Sequence, residues 1–384
     1  MTRIADITFK DKIAGSLKEA GQGAVFEYAQ GFNQQIACCF PISKRRYTND
    51  FGLHPFFSHL GSEGWLREKQ ARYGLQEQDD FGLLLRYGAD CIGAVGVKAK
   101  SLDNMLPQGQ EAEPGQGRTV SGVQRKILAR KDNKTFYPAG EEGDANYIAK
   151  FNSLEINTLI RNEALSLKWL KKVLGSDEVT DFDTGTIHGK DELALIVKRF
   201  DRTQYGHKLR MEDFAQILCK PRGQDYRGKY NGSYEEIAGA IKTYSARPDI
   251  DLNKFFRLCI ANFLIGNCDA HLKNFSLLET KDGLRLSPAY DVLNTAVYPK
   301  FEQNLALHMN GKSYHLDELE KVNFEQFGRD IELTDSAIKT SFVDIKKRVQ
   351  DANLYFQPSN PLNEDEFIND FRCAVRARCD RILI

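Results

Sequence analysis

Three polar residues, Asp269, Asn274 and Asp291, have the types and order that phosphoryl transfer requires. A carboxylate must orient the attacking hydroxyl and take its proton, and oxygen ligands close by must hold a metal ion against the phosphate oxygens. Asp269 and Asn274 lie in Ile265-Gly-Asn-Cys-Asp-Ala-His-Leu-Lys-Asn-Phe275, an Asp-x-x-x-x-Asn spacing after an apolar run. That spacing is weak evidence alone, since about one such pair arises by chance in an ordinary chain. The second carboxylate strengthens it. Asp291 ends Ser287-Pro-Ala-Tyr-Asp291, after two short apolar segments, 275–278 and 284–286, joined by the turn Lys281-Asp-Gly283. It is therefore expected just past a β-hairpin that follows the loop. Taken singly, Asp291 reads as a helix cap and Asn274 as a turn residue; the ordered set favours catalysis.

Lys150, in Tyr147-Ile-Ala-Lys-Phe151, falls on an expected strand, where its ammonium can meet the α and β phosphates of a nucleotide. Glu163 in the following helix is the expected orienting carboxylate, with Glu155 as its competitor. Upstream, Thr119-Val-Ser-Gly-Val-Gln-Arg-Lys126 supplies hydroxyls, a glycine and basic side chains where a loop can cover phosphates with backbone N–H groups. His271 is expected to hydrogen-bond backbone and hold the catalytic loop in shape.

Several elements must position these groups. Residues 1 to about 40 alternate apolar and polar types between glycines, as a small antiparallel sheet does. From Asn49 to Val97 the spacing becomes helical. The stretch 98–118 is rich in Gly, Pro, Gln and Glu and reads as a linker. Strands are expected at 124–128, 147–151 and 193–200, with a helix over 154–174 between them. Beyond Asp201 the pattern is mostly helical, at 211–218, 234–244, 252–267, 335–354 and 364–382. The expected division is thus an N-terminal subdomain at 1–100, a linker at 101–118, an ATP-binding β-lobe at 119–203 and a helical lobe at 204–384.

Composition excludes several classes. The chain has 384 residues, 41% of them hydrophobic, and its 53 basic residues balance 53 acidic ones. No general positive field would hold it on nucleic acid or anionic lipid. It has no long apolar run and no signal-peptide pattern at its start, so a cytoplasmic protein without membrane contact is expected. Eight cysteines occur without a Cys-x-x-Cys pair or regular histidine spacing, which indicates neither a zinc site nor a disulfide framework.

Together these residues resemble the HipA-like kinases, serine/threonine kinase toxins of bacterial toxin–antitoxin modules. The resemblance rests on Ser121-Gly-Val-Gln-Arg-Lys126, Lys150, Asn162-Glu163, Val197-Lys-Arg-Phe-Asp-Arg202, Met211-Glu-Asp-Phe-Ala-Gln216, Gly266 to Phe275 and Pro288-Ala-Tyr-Asp-Val-Leu293. Pro55-Phe-Phe-Ser-His-Leu60, Gly64-Trp-Leu-Arg-Glu68 and Asp90-Cys-Ile-Gly-Ala-Val95 are similar to the family's first subdomain.

It implies an α+β, bilobal protein-kinase-like fold, with a β-rich N-terminal subdomain and a helical C-terminal lobe. It also implies ATP and Mg²⁺ as cofactors. Asp269 becomes the catalytic base, assisted by Lys150 and Glu163, and Asn274 and Asp291 become the magnesium ligands. Nucleotide contacts are implied for Ser121, Gly122, Val123, Gln124, Lys126, Lys150, His271, Lys273 and Asn274, with the backbone around Lys198 to Phe200 meeting adenine. Inactivating autophosphorylation is implied at Ser121 first and Thr119 second. Thr119 and Arg125 depart from the family's usual serine and acidic residue.

The implied partners are a helix-turn-helix antitoxin (HipB-like), DNA only through that antitoxin, and an aminoacyl-tRNA synthetase as substrate. Two competing readings are a kinase-fold co-repressor without catalysis and a kinase of lipid or small-molecule hydroxyls.

Overall fold

The computed structural model describes residues 2–71, 74–100, 124–140, 145–222, 231–354 and 365–383. Thr119, Ser121, Gly122 and Val123 lie outside them. The chain divides into two compact units, one formed by Met1–Asn157 with Phe182–Gly228 and the other by Thr158–Asp181 with Lys229–Ile384.

The first unit carries two antiparallel sheets. In one, β1 (Ile4–Phe9), β2 (Lys12–Ala20), β3 (Gly23–Tyr28), β4 (Arg46–Asn49) and β5 (Val95–Ala99) lie in the order β4-β3-β2-β1-β5. The pattern from 49 to 97 was expected to be helical throughout. Helices α1 (Pro55–Ser58), α2 (Gly64–Ala71) and α3 (Asp80–Tyr87) do occupy most of it, but the segment ends in β5, which pairs with β1 from Ala5↔Ala99 to Phe9↔Val95. Periodicity cannot separate strand from helix in so short an apolar run, and pairing with the open edge of β1 decides it. Alternate residues of these strands, Ile7, Leu17, Phe26 and Val97 among them, form a core with Phe40, Phe56, Phe57 and Leu84.

The second sheet has the order β7-β6-β8-β10-β9, with β6 (Lys126–Asp132), β7 (Thr135–Pro138), β8 (Tyr147–Phe151), β9 (Phe182–Thr186) and β10 (Leu193–Lys198). One face buries Ile127, Ala129, Ala149, Phe151, Ala194 and Ile196. On the other, Leu128 and Ile148 pack with Leu66 of α2, so the N-terminal helices and the second sheet share a core.

A buried ion network reinforces that union. Asp201 accepts from Arg199 at 2.8 and 3.0 Å, from Arg202 at 2.8 Å and from the backbone N–H of Gly93 at 2.7 Å. Arg202 reaches on to Asp90 at 2.7 Å. The segment 211–218 opens as strand β11 (Met211–Asp213) rather than helix. Asp213 then caps one helical turn, Phe214–Ile217, through a reciprocal bond with Gln216.

The second unit is helical around one hairpin. Its helices are α4 (Leu159–Val173), α6 (Tyr234–Tyr244), α7 (Pro248–Ile265), α8 (Lys321–Asp330), α9 (Asp335–Leu354) and α10 (Glu366–Leu383), the turn Phe214–Ile217 being α5. The hairpin joins β12 (Ser276–Thr280) to β13 (Gly283–Leu286). Helix α7 is buried along most of its length, and its Phe255, Phe256 and Phe263 pack in an aromatic cluster with Phe275, Phe324, Phe327 and Phe342. Among the described residues no helix is long and apolar enough to cross a membrane.

Candidate active site

The loop bearing Asp269 starts where α7 stops. Gly266 is the left-handed cap at φ 84°, and a Cβ there would lie 2.4 Å from Nη2 of Arg378 and 2.7 Å from Oδ1 of Asn294. The buried Arg378 guanidinium donates to the carbonyls of Leu264 and Ile265 at 3.1 and 2.9 Å, satisfying acceptors that a helix end leaves open.

Beyond the cap, every turn is tied. Asn267 Nδ2 donates to Asn262 Oδ1 at 2.9 Å, and Asn267 Oδ1 accepts the Asp269 N–H at 3.0 Å. Cys268 N–H donates to Thr295 Oγ1 at 2.9 Å. Asp269 is exposed between the buried Cys268 and Ala270, so its carboxylate stands out from a fixed backbone.

His271 and Asn274 close the loop as a reciprocal cap. Lys273 N–H donates to His271 Nδ1 at 3.2 Å, and His271 N–H donates to Asn274 Oδ1 at 3.1 Å. The expected backbone-holding role of His271 is what its ring performs. Asn274 does serve as a turn residue, yet its amide oxygen has a second lone pair. The Lys273 side chain is buried, and its carbonyl accepts from Tyr290 Oη at 2.7 Å.

The hairpin delivers Asp291. Buried Asp251 of α7 accepts from Arg285 at 2.8 and 2.9 Å, from Leu286 N–H at 2.9 Å and from Ser245 Oγ at 2.6 Å, fixing β13 to the helix. Downstream, Ala289 N–H donates to Glu178 O at 2.8 Å, and its carbonyl accepts from Thr180 N–H at 2.9 Å. Tyr290 reaches back to the Asp269 loop through Lys273 and Ser276.

Asp291 then takes a left-handed backbone, φ 56°, and the next helical turn, Thr295–Val297, has Asn294 as its N-cap, so Asp291 does not act as a helix cap. Such a conformation in a non-glycine residue is uncommon and persists where surrounding contacts impose it. Those contacts continue at Asn294, whose N–H donates to Asn162 Oδ1 at 2.8 Å and whose carbonyl accepts from Asn162 Nδ2 at 2.9 Å. Asp269, Asn274 and Asp291 therefore sit on two segments, 266–275 and 287–296, that are laced together.

Glu163 lies on α4 and is fully buried, whereas its competitor Glu155 is exposed and precedes the helix.

In the first unit, Lys150 is on β8 directly across from Lys126 of β6, both nearly buried at 5% and 6% exposure. They share the sheet face opposite the Ala149 and Phe151 core. Gln124 Nε2 donates to the Phe151 carbonyl at 2.8 Å and fixes the approach to β6. Arg125 stacks over the Phe151 ring at 4.6 Å and pairs with Glu192. Lys198 ends β10 exposed, Arg199 N–H bonds Asn146 O at 2.9 Å, and Phe200 is half-buried.

Sequence reasoning missed Asp251, Arg285, Arg378 and Asn294. Each is a polar residue nearly or partly sequestered beside an apolar run, but its partners lie far off in the chain, where no spacing rule reaches.

Comparison with known proteins agrees over the whole chain. Residues 5–98 match the model of the HipA N-terminal domain, and residues 118–353 match that of the HipA-like C-terminal domain. A protein of Sinorhizobium fredii named as a kinase, Y4dM, is 34% identical over 280 residues, covering 67% of this chain and 66% of its own length. The serine/threonine-protein kinase toxin HipA of Shewanella oneidensis is 25% identical over 355 residues, 81% of this chain and 79% of that protein. Among solved structures, the complex of Shewanella oneidensis HipA and HipB with operator DNA contains a chain that superposes with a TM-score of 0.77 at 21% identity, over 99% of this chain and 97% of that one.

Proposed function

Because this chain belongs to the HipA-like family and has its α+β kinase-like fold, we propose that it is an ATP- and magnesium-dependent protein kinase. It would transfer the γ-phosphate to a Ser or Thr hydroxyl and act as the toxin of a toxin–antitoxin module. The observation that carries this reading is the exposed Asp269 carboxylate on a backbone immobilised by Asn267, His271 and Asn274 and laced to the Asp291 segment. A general base needs that combination of access and fixed direction.

In this reading Asp269 orients the acceptor hydroxyl and takes its proton as the oxygen attacks phosphorus. Asn274 and Asp291 fit a magnesium site: an amide oxygen with a lone pair to spare and a carboxylate are the hard donors that ion prefers. When bound, the ion would neutralise charge on the phosphate oxygens.

Lys150 and Lys126 are cross-strand neighbours on one sheet face, and in this reading their ammonium groups would meet the nucleotide phosphates. Glu163 would orient Lys150, His271 and Lys273 would line the nucleotide site, and the backbone from Lys198 to Phe200 would meet the adenine. Ser121, then Thr119, would be the autophosphorylated hydroxyls of the phosphate loop that includes Gly122, Val123 and Gln124.

A HipB-like helix-turn-helix antitoxin would be the partner, bringing DNA contact with it, and an aminoacyl-tRNA synthetase the cytoplasmic substrate.

The test is incubation of the purified protein with ATP and Mg²⁺, followed by intact mass and peptide mapping, with Asp269→Gln alongside. Phosphate on Ser121 or Thr119 in the wild type alone supports the reading. No phosphate and no ATP binding in a folded wild-type protein overturns it.

A further inference from the structure

Away from these residues, and independently of the kinase reading, the first unit gathers Cys39, His54 and Cys219 so that their ligand atoms all lie within 4.8 Å of one another. No spacing rule links positions 39, 54 and 219; the fold does. All three are half-buried.

Each member is held from a different direction. The neighbouring Cys38 N–H donates to both Glu212 oxygens at 2.9 and 3.1 Å, and the adjoining Phe40 ring lies 4.7 Å from the His54 ring. His54 is the N-cap of α1, its Nδ1 accepting the Phe56 N–H at 3.2 Å. Gln216 Nε2 bonds Phe56 O at 3.2 Å, which fixes α5 to α1.

Cys219 directly follows Leu218, the C-cap of α5. Its N–H bonds Gln216 O at 3.1 Å, and the next N–H, of Lys220, bonds Ala215 O at 3.0 Å. Its φ is 51°, the left-handed conformation for which a helix end ordinarily uses glycine. A cysteine is thus kept where its backbone is strained, and such outliers concentrate at functional sites.

The hydrogen-bond geometry decides what the cluster can do. With its Nδ1 lone pair occupied, a neutral His54 ring carries its hydrogen on Nε2, which makes that atom a donor and no metal ligand. The Cys39 and Cys219 sulfurs and a ring nitrogen of His54 lie within 4.8 Å of one another. The adjacent Cys39 thiol first, then the His54 ring, draw the Cys219 thiol well below its usual pKa, while the Cys219 sulfur and burial push Cys39 up. A lowered thiol pKa favours the thiolate, the reactive form.

We infer that Cys219 and Cys39 are a nucleophilic and resolving thiol pair, positioned by His54, that a hydroperoxide converts to a disulfide. The Cys219 thiolate attacks one peroxide oxygen; the S–O bond forms, the O–O bond breaks, and the departing oxygen leaves as hydroxide or alkoxide. Cys39 then attacks the sulfenic sulfur; the S–S bond forms, the S–O bond breaks, and the leaving hydroxide takes the Cys39 proton to become water. Two thiols are oxidised by two electrons and one peroxide is reduced.

The test uses the full chain carrying Cys373→Ser, which removes an exposed competing thiol. The protein is reduced, freed of reductant, treated with one equivalent of hydrogen peroxide, alkylated and mapped without reduction. The expected product is a peptide linking Cys39 to Cys219. Cys39→Ser should leave a dimedone-reactive sulfenate on Cys219, Cys219→Ser should give neither adduct nor link, and His54→Gln should slow linkage about tenfold. Circular dichroism checks that each variant is folded.

Two outcomes overturn the inference. One is a wild-type chain whose Cys39 and Cys219 remain unlinked and alkylate fully after peroxide. The other is stoichiometric zinc that copurifies, protects both thiols and is lost in Cys219→Ser, which would make the cluster a metal centre.

Discussion

Asn162 offers the sharpest test of how the site is assembled. Its amide answers both backbone groups of Asn294, donating to the carbonyl at 2.9 Å and accepting the N–H at 2.8 Å, and both residues are fully buried. Asn162→Ala leaves those two groups orphaned. Each buried unsatisfied group costs about 1–3 kcal/mol, so the pair sets a ceiling near 6 kcal/mol, and partial relaxation should bring the loss to about 3 kcal/mol.

Asn162→Asp separates the two bonds. The introduced carboxyl can still accept the Asn294 N–H, but ionised it faces the Asn294 carbonyl with no hydrogen. Protonated, it donates again. Its folded pKa should therefore lie above the unfolded value near 3.9, and the stability it contributes should be present below that pH and be lost as pH rises through the folded pKa.

Urea denaturation between pH 4 and 8, with hydrogen exchange at Asn294 and Thr295, measures both effects. A loss under about 0.5 kcal/mol for Asn162→Ala, the range of ordinary surface substitutions, would refute the clamp. So would an Asn162→Asp defect that does not change with pH.

Other consequences follow from the same geometry. Asp269→Asn should lower phosphorylation by about 10²–10⁴-fold while the melting temperature stays close to wild type, because the side chain is exposed; a large fall in melting temperature would instead make Asp269 structural. Gly266→Ala should cost at least the ~1–2 kcal/mol of a left-handed alanine, plus displacement of Arg378 and Asn294 from a Cβ at 2.4 and 2.7 Å; urea midpoints at unchanged slope would report it. Burial disfavours the Asp201 carboxylate, but Arg199, Arg202 and the Gly93 N–H outweigh that and lower its pKa. Its stabilisation is thus present above about pH 4 and fades as pH falls through the lower folded value. Asp201→Asn should cost about 3–5 kcal/mol at pH 7 by stranding buried guanidinium groups, and its melting curve should approach that of the wild type as pH falls through the lowered folded pKa of Asp201.

The helices with long periodic stretches are legible in the sequence. The ends expected for 234–244 and 335–354 match α6 and α9, and 147–151 matches β8. Misreadings fell where tertiary pairing outweighs local pattern. Val95–Ala99 is a strand because β1 presents it an edge, and Met211–Asp213 is extended before a single capped turn. Helix α8 escaped notice because its apolar face is narrow, with only Phe324, Phe327 and Gly328 buried.

For the candidate site, Asp269, Asn274 and Asp291 could be named from residue type and order. What holds them could not. Arg378 caps α7 from 113 and 114 residues away along the chain, and Asn162 clamps Asn294 across 132. An asparagine on a helix has no sequence mark that distinguishes a solvated amide from one standing in for a strand's backbone.

The motif Lys198-Arg-Phe-Asp-Arg202 shows the same limit from the other side. Resemblance to the HipA-like kinases implies that the backbone around Lys198 to Phe200 meets adenine, but it says nothing of what the charged side chains do. Here two of them are buried and pair with Asp201, which also holds the Gly93 N–H, so the motif is the joint between the N-terminal sheet region and the second sheet. Lys198 stays exposed and Phe200 half-buried. Within one pentapeptide, then, Arg199, Asp201 and Arg202 brace the unit while Lys198 stays at the surface. A substitution at Arg199 or Arg202 should therefore act first on stability, whereas one at Lys198 should leave the melting temperature unchanged, and comparing thermal melts of the three variants separates the two roles.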